Sequence, residues 1–294
     1  MRRLEHLIYD TRFESGNPDT TRFSDLKFNK LYSDAQRALQ ALIVSVDEKG
    51  KHFTKSAIQD TVADQEEYSL PSDIYATNSI ISVGLLAETR STAASIYYPL
   101  DPVTERENRL SPGYGVRDNE LFLSPPVTYA KTNGLKITYT KKLPSLSVRL
   151  GKVSVVTSGV SIQLAATYSS EVILNHDDFV TVVDVDGTII RSGIRVTAYA
   201  TGLLSTADAL TGVTSAHYVV LGKLATSHSE LSDACETIMN SMVKKALFAI
   251  DASKEFNMAE LITAEEKGII TGLFKKNDQD VVTPPVSGNS YLNY

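Results

Sequence analysis

Apolar residues near the start of the chain recur at helical spacing. Leu4, Leu7, Ile8 and Thr11 share one face of a short helix predicted over residues 2–13. The SGNPDTT stretch then breaks the pattern. Ser24 is placed to cap a second helix, which carries Leu26, Leu31, Ala35, Ala38, Leu39 and Leu42 three or four apart and runs to about residue 46. Beyond it the period shortens to two. SAIQDTV and EEYSLP read as strands joined through ADQ in a hairpin, with Pro71 ending the pairing because it has no N–H to give. Strands follow over 78–87 and 94–98, with a short charged helix or turn over 99–110. Asp118-Asn119 makes a tight turn before LFLSPP, and residues 135–143 alternate as a half-buried strand does.

From 151 to 225 the chain is rich in Val, Thr, Ser and Gly and poor in charge. Short alternating runs recur there: KVSVV, VSIQLAA, FVTVVDV, TIIRS, IRVTAYA and HYVVLGK. They predict an antiparallel sandwich or small barrel. Helical spacing returns over 229–250, with Ser229 and Ser232 as candidate caps and Leu231, Ile238, Met242, Val243, Leu247 and Ile250 as the apolar stripe. MAELITAEEKGIITGLFKK predicts a further helix or pair of turns, interrupted at Gly268 and Gly272. Residues 278–294 hold too few packing groups to bury a core and are expected to be extended.

The order Y-S-D-A-Q-R-A-L helix, YSLPSD, YYPLDP, LFLSPP and ITYTKKLP resembles the head–tail adaptor (connector) proteins of tailed bacteriophages. The resemblance covers residues 20–145 best and 229–272 by helix position only; residues 151–225 lie outside it. It implies an α+β fold: a helical bundle with the β-hairpin region of phage adaptors, here with an inserted antiparallel β-sandwich or barrel domain. The division expected is 1–150 adaptor-like, 151–228 inserted β domain, 229–277 helices completing the adaptor, and 278–294 a C-terminal arm.

Composition constrains the chemistry. The chain has 294 residues, 42% hydrophobic and 22% charged, so a sizeable core is expected. Net charge is −6, which argues against a nucleic-acid binder; the Arg2-Arg3, Lys141-Lys142, Lys244-Lys245 and Lys275-Lys276 pairs read as solvated faces. The single cysteine, Cys235, rules out an intrachain disulfide and sits at core spacing. No run approaches the ~20 apolar residues of a membrane span. The N-terminus lacks the apolar run of a signal peptide. A soluble protein, in the compartment where it is made, is the expectation.

One motif points to an enzyme. VVDVDGTII resembles the first motif of haloacid-dehalogenase phosphatases, which implies Asp184 as nucleophile, Asp186 as acid/base and magnesium between carboxylate and phosphate. In that family the motif ends a parallel strand and helices follow; here RSGIRVTAYATG returns at once to a β pattern. The competing reading is a hairpin turning at Asp186-Gly187 in a type I′ turn. NHDD offers His176, Asp177 and Asp178, but neighbours on a strand face opposite ways, so a polar turn is favoured over chelation. His6, His52, His217 and His228 are scattered. Tyr97, Tyr98, Tyr114 and Tyr129 fit exposed sites or strand packing equally.

The functional expectation is a non-enzymatic virion protein with no cofactor or metal. The resemblance implies a homo-oligomeric ring of about twelve copies between portal and tail. Such a ring extends the DNA channel and gives the tail a platform. The DNA passes without specific binding, and net negative charge suits that passage. Other tail or connector proteins are expected partners. Within the arm, Val281, Val282, Val286, Tyr291, Leu292 and Tyr294 are the candidate contacts to the portal or a neighbouring subunit. Two alternatives stand beside this: a tail or adhesin protein whose β domain binds a ligand, and the phosphatase built on Asp184 and Asp186.

Overall fold

The computed structural model describes residues 2–16, 23–47, 52–89, 96–104, 112–157, 159–167, 174–200 and 202–275. It is a mixed α+β protein with, among the described residues, four α-helices, one short 3-10 helix and several mainly antiparallel sheets, one of them closed into a six-stranded barrel. Helices α1 (Leu4–Glu14) and α2 (Asp25–Val46) form as the periodicity predicts. The predicted face of α1 is buried, and the Ser24 hydroxyl accepts from Lys27 N to start α2. Leu26 departs from the α2 stripe and is exposed. Helix α3 (Asp233–Asp251) begins after Ser232, so Ser229 is not its cap. Helix α4 (Ala264–Phe274) runs unbroken through Gly268 and Gly272. Its interruption was expected from glycine's cost of ~1 kcal/mol per residue. The Thr263–Glu266 capping box and burial of Ile270 offset that cost.

The helices share one core. Leu4, Leu7, Phe28, Tyr32, Leu39, Ile43, Met239 and Met242 pack together with Leu143, Leu146 and Val148 of the following segment. The Tyr32 hydroxyl lies 2.8 Å from the Leu7 carbonyl, 2.9 Å from Asn240 Oδ1 and 2.6 Å from Thr11 Oγ1, which joins α1, α2 and α3. Burial pushes its phenol pKa up.

After α2 come β1 (Thr54–Thr61), β2 (Glu67–Ser69), β3 (Ile80–Leu85), β4 (Tyr98–Pro99), β5 (Asp101–Pro102), β6 (Gly113–Arg117), β7 (Glu120–Ser124), β8 (Lys131–Thr140) and β9 (Ser145–Leu146). The first eight form two four-stranded sheets, β1-β8-β3-β4 and β2-β7-β6-β5. The predicted hairpin through ADQ does not form, because β1 pairs with β8 and β2 with β7. Side chains link the two segments instead: Gln59 donates to the Ser69 carbonyl at 2.8 Å. The 78–87 strand is shorter than expected and buried only from Val83 onward. The β6–β7 turn at Asp118-Asn119 is as predicted, with φ of 49° and 66°. Of the strand expected over 94–98, residues 94 and 95 lie outside the described residues. So do 105–110 of the segment expected as a helix or turn over 99–110, whose described start forms β4 and β5.

The low-charge segment is a closed barrel rather than a sandwich. Strands β10 (Arg149–Thr157), β11 (Ser161–Thr167), β12 (Phe179–Val183), β13 (Ile189–Ala200), β14 (Leu203–Thr206) and β15 (Tyr218–Leu221) close in the order β10-β11-β14-β13-β12-β15. Its interior is apolar, including Val153, Ile162, Val180, Val182, Ile194, Val196, Leu204 and Val219. The chain enters beside its exit: β9 pairs in parallel with β16 (Ala225–Thr226).

Helix α2 holds this crossing through a buried polar face. Asn29, Ser33, Gln36 and Gln40 follow one another at helical spacing, and each bonds backbone of 141–148. Asn29 Oδ1 accepts from Val148 N at 3.1 Å and Ser33 Oγ from Leu146 N at 3.0 Å. Gln36 donates to the Pro144 carbonyl at 2.7 Å. Gln40 donates to the Lys141 carbonyl at 2.8 Å and accepts from Leu143 N at 3.1 Å.

Candidate functional site at the barrel junction

The VVDVDGTII segment is the hairpin between β12 and β13. Asp184 N donates to the Thr188 carbonyl at 2.8 Å, and Gly187 N to the Asp184 carbonyl at 3.1 Å. Gly187 has φ of 86°, while neither Val185 nor Asp186 has positive φ. The connection is therefore a three-residue loop ending in a left-handed glycine, not the type I′ turn expected. Both carboxylates serve the loop. Asp184 Oδ1 accepts from Val185 N at 2.6 Å and Asp186 Oδ1 from Thr188 N at 2.9 Å. The Thr188 N–H holds the exposed Asp186 carboxyl below its ordinary range. The segment thus lies in an antiparallel barrel, whereas the phosphatase resemblance requires a parallel strand followed by helices.

The loop is clamped to the rest of the molecule. Thr226 Oγ1 donates to the Gly187 carbonyl at 2.7 Å. The buried Arg149 guanidinium donates to the Val185 carbonyl at 2.6 Å and to Ser227 Oγ at 3.2 Å, and lies 3.9 Å from the centre of the Tyr218 ring. Arg149 N in turn donates to Glu5 Oε1 of α1 at 3.0 Å. A Cβ on Gly187 would stand 2.6 Å from His228 Nδ1. Burial and the nearby Arg149 charge hold His228 below its ordinary pKa.

Between this loop and the end of β8 lies a cleft of about 730 Å³. Four of its ionic groups are paired, while Lys142 and Asp186 also line it. Lys55 Nζ is 2.6 Å from Asp73 Oδ2, the Tyr139 hydroxyl donates to Asp73 Oδ1 at 2.6 Å, and Lys141 pairs with Glu230. Burial alone would raise the Asp73 pKa; the Lys55 and Tyr139 bonds outweigh it and leave the carboxyl below its usual range. These are structural contacts. None of these three contacts joins a general base to a nucleophile, though the Ser227 hydroxyl lies 3.1 Å from Nδ1 of His228, which also lines the cleft.

The remaining sequence candidates are dispersed. His176, Asp177 and Asp178 form the expected polar turn, with Asn175 N donating to Asp178 Oδ2 at 2.7 Å. Among the described residues, no group of three or more His, Cys, Asp or Glu side chains is placed to hold a metal ion. Cys235 is buried in the helical core, and burial pushes its thiol pKa up. Tyr129 donates to the Leu86 carbonyl at 2.9 Å and Tyr97 to the Asn133 carbonyl at 3.0 Å; Tyr98 is about half exposed. Val281, Val282, Val286, Tyr291, Leu292 and Tyr294 lie outside the described residues. No described helix is long and apolar enough to cross a membrane. No protein-family model matches the chain, and no curated protein matches it.

Sequence reading missed the surfaces. Large apolar side chains stand exposed on all four helices, with Tyr9 and Phe13 on α1, Leu26 on α2, Phe248 on α3, and Ile269 and Leu273 on α4, and also on strands, as at Ile58 and Val155. The i, i+4 spacing of Tyr9 with Phe13 and of Ile269 with Leu273 was visible in the chain. Which side of each helix remains uncovered depends on tertiary packing.

Proposed function

We propose that this protein is a structural, non-enzymatic component of a tailed-phage virion that forms a ring between portal and tail. One observation carries the reading beyond sequence resemblance. Large apolar side chains stand exposed on the helices as well as on strands such as β1 and β10, while Lys55, Asp73, Lys141 and Glu230 of the cleft are paired with one another. Large exposed apolar patches mark association surfaces. A ring requires two different faces of one subunit to meet, and several unpartnered helix faces offer them. In this reading the ring lines the DNA channel with a net acidic protein, the arm over 278–294 docks on the portal or the next subunit, and no cofactor takes part. The location is the capsid vertex, after synthesis in the host cytoplasm.

Native mass measurement of the assembled particle's connector, with imaging down its axis, tests this. A closed ring next to the portal is expected, and deletion of 278–294 should lower its occupancy there. A chain that stays monomeric in the particle, or lies at the distal tail tip, sinks the proposal.

A further inference from the structure

The outer face of α4 has the make-up of an interface. Of its eleven residues only Ile270 is fully buried. Ile269 and Leu273 are 46% and 53% exposed one turn apart, and Glu265 precedes them by another turn on the same side. An isolated helix this short is marginal in water, so apolar residues turned outward add nothing to its own stability.

A second surface of the same molecule complements it. Between α2 and the segment that follows α3 runs a groove of about 740 Å³. Leu31, Phe256 and Met258 contribute apolar lining, while Lys27, Lys30 and Arg37 line it along α2. Asp34 pairs with Arg37 at 3.3 Å, so three cations face one carboxylate. The occupant this groove suits is a short helix with an acidic first turn and two apolar anchors at i and i+4. Helix α4 has that composition, with Glu265 and Glu266 in its first turn and Glu260 just ahead of it. Glu266 is held by Lys245 at 3.0 Å, which leaves Glu265 as the outward charge.

We infer that α4 of one copy seats in the groove of a second copy of this chain, with Glu265 toward Lys27 and Lys30 and with Ile269 and Leu273 on the apolar lining. The two surfaces differ, so the contact is head-to-tail and propagates from copy to copy. It rests on the ring reading only in supposing that copies of this chain associate.

Full-length chains carrying single added cysteines test it, since Cys235 is buried. One chain carries Ala38→Cys in the groove. The other carries Gly272→Cys on α4, where nothing lies within 4 Å of the added Cβ. They are mixed at a concentration at which wild type oligomerises, then oxidised. A crosslinked dimer between the two chains is expected, well above an Ala38→Cys with Thr237→Cys control. Glu265→Lys on the α4 partner, or Lys30→Glu on the groove partner, should cut the yield by about 3-fold or more, and combining them should restore it. A yield no greater than the control, or charge reversals without effect and without rescue, overturns the contact. Rings seen in wild type without this crosslink would sink the contact alone. The crosslink without any ring in the particle would leave the contact standing and sink the ring reading.

Discussion

Gly187 is where a single residue decides the junction. Its φ of 86° is a conformation that costs an L-residue about 1–2 kcal/mol, and a Cβ there would stand 2.6 Å from His228 Nδ1. Gly187→Ala should therefore lower unfolding stability by roughly 2 kcal/mol or more, measured by urea titration. Asp184→Asn should stay within about 0.5 kcal/mol and, on the proposed virion role, leave particle assembly unchanged, because an amide oxygen can still accept from Val185 N. An Asp184→Asn protein that folds normally but loses its activity in the particle would revive the catalytic reading. His228 makes a second prediction. Burial first, and Arg149 second, hold its pKa below the ordinary 6.5. Between that lowered value and 6.5 the unfolded chain binds a proton that the native chain does not, so stability falls as pH drops through this window. His228→Gln should flatten that part of the pH profile, and an unchanged slope would show that another group is responsible. The Asp-Gly pair announced a turn from sequence alone. The contacts of Gly187 to residues some forty positions later could not be seen there.

At the scale of elements, α2 shows what periodicity captures and what it leaves out. Its apolar stripe was legible, as was its Ser24 start. A second buried face was not, because Asn29, Ser33, Gln36 and Gln40 look like solvent-facing residues until their partners are known. Each bonds backbone more than a hundred positions away, and burying such groups is tolerable only when they are satisfied. Gln40→Ala should cost roughly 2–3 kcal/mol, since it leaves the Lys141 carbonyl and the Leu143 N–H without this partner. Thermal unfolding of Gln40→Ala beside exposed Ala41→Ser checks this; equal midpoints would refute the bridging role. The missed hairpin has a related cause. EYSLP and SAIQDTV both read as strands, and both contain strands, but their partners β7 and β8 lie about fifty and about eighty residues further on. Local pattern identifies a strand and not its neighbour.

For the whole molecule, the change in composition near residue 150 marks a structural change. The barrel closes on its own apolar interior, and none of its strand residues belongs to the helical core cluster. Its entry and exit are side by side, with Ser145 opposite Ala225 and Leu146 opposite Thr226. The helical core instead uses Leu143, Leu146 and Val148 on the entry side and Leu231 on the exit side. The barrel should then be removable. Replacing residues 149–221 with a short Gly/Ser link spans only a gap between adjacent strands, which lie about 4.8 Å apart. The cost includes the Arg149 bonds to Glu5 and Ser227, the packing of Val183 and Val220 on Ala225, the Thr181 bond to Ala225 N, and exposure of Thr226 and His228 where the hairpin had covered them. Full helical signal and one cooperative unfolding transition are expected from the shortened protein. If the ring forms through helices, the shortened chain should still assemble, with the barrel's own contacts the only ones lost. A protein that fails to fold would show instead that barrel and helices form one cooperative unit, and one that folds without assembling would place the barrel in the ring contact.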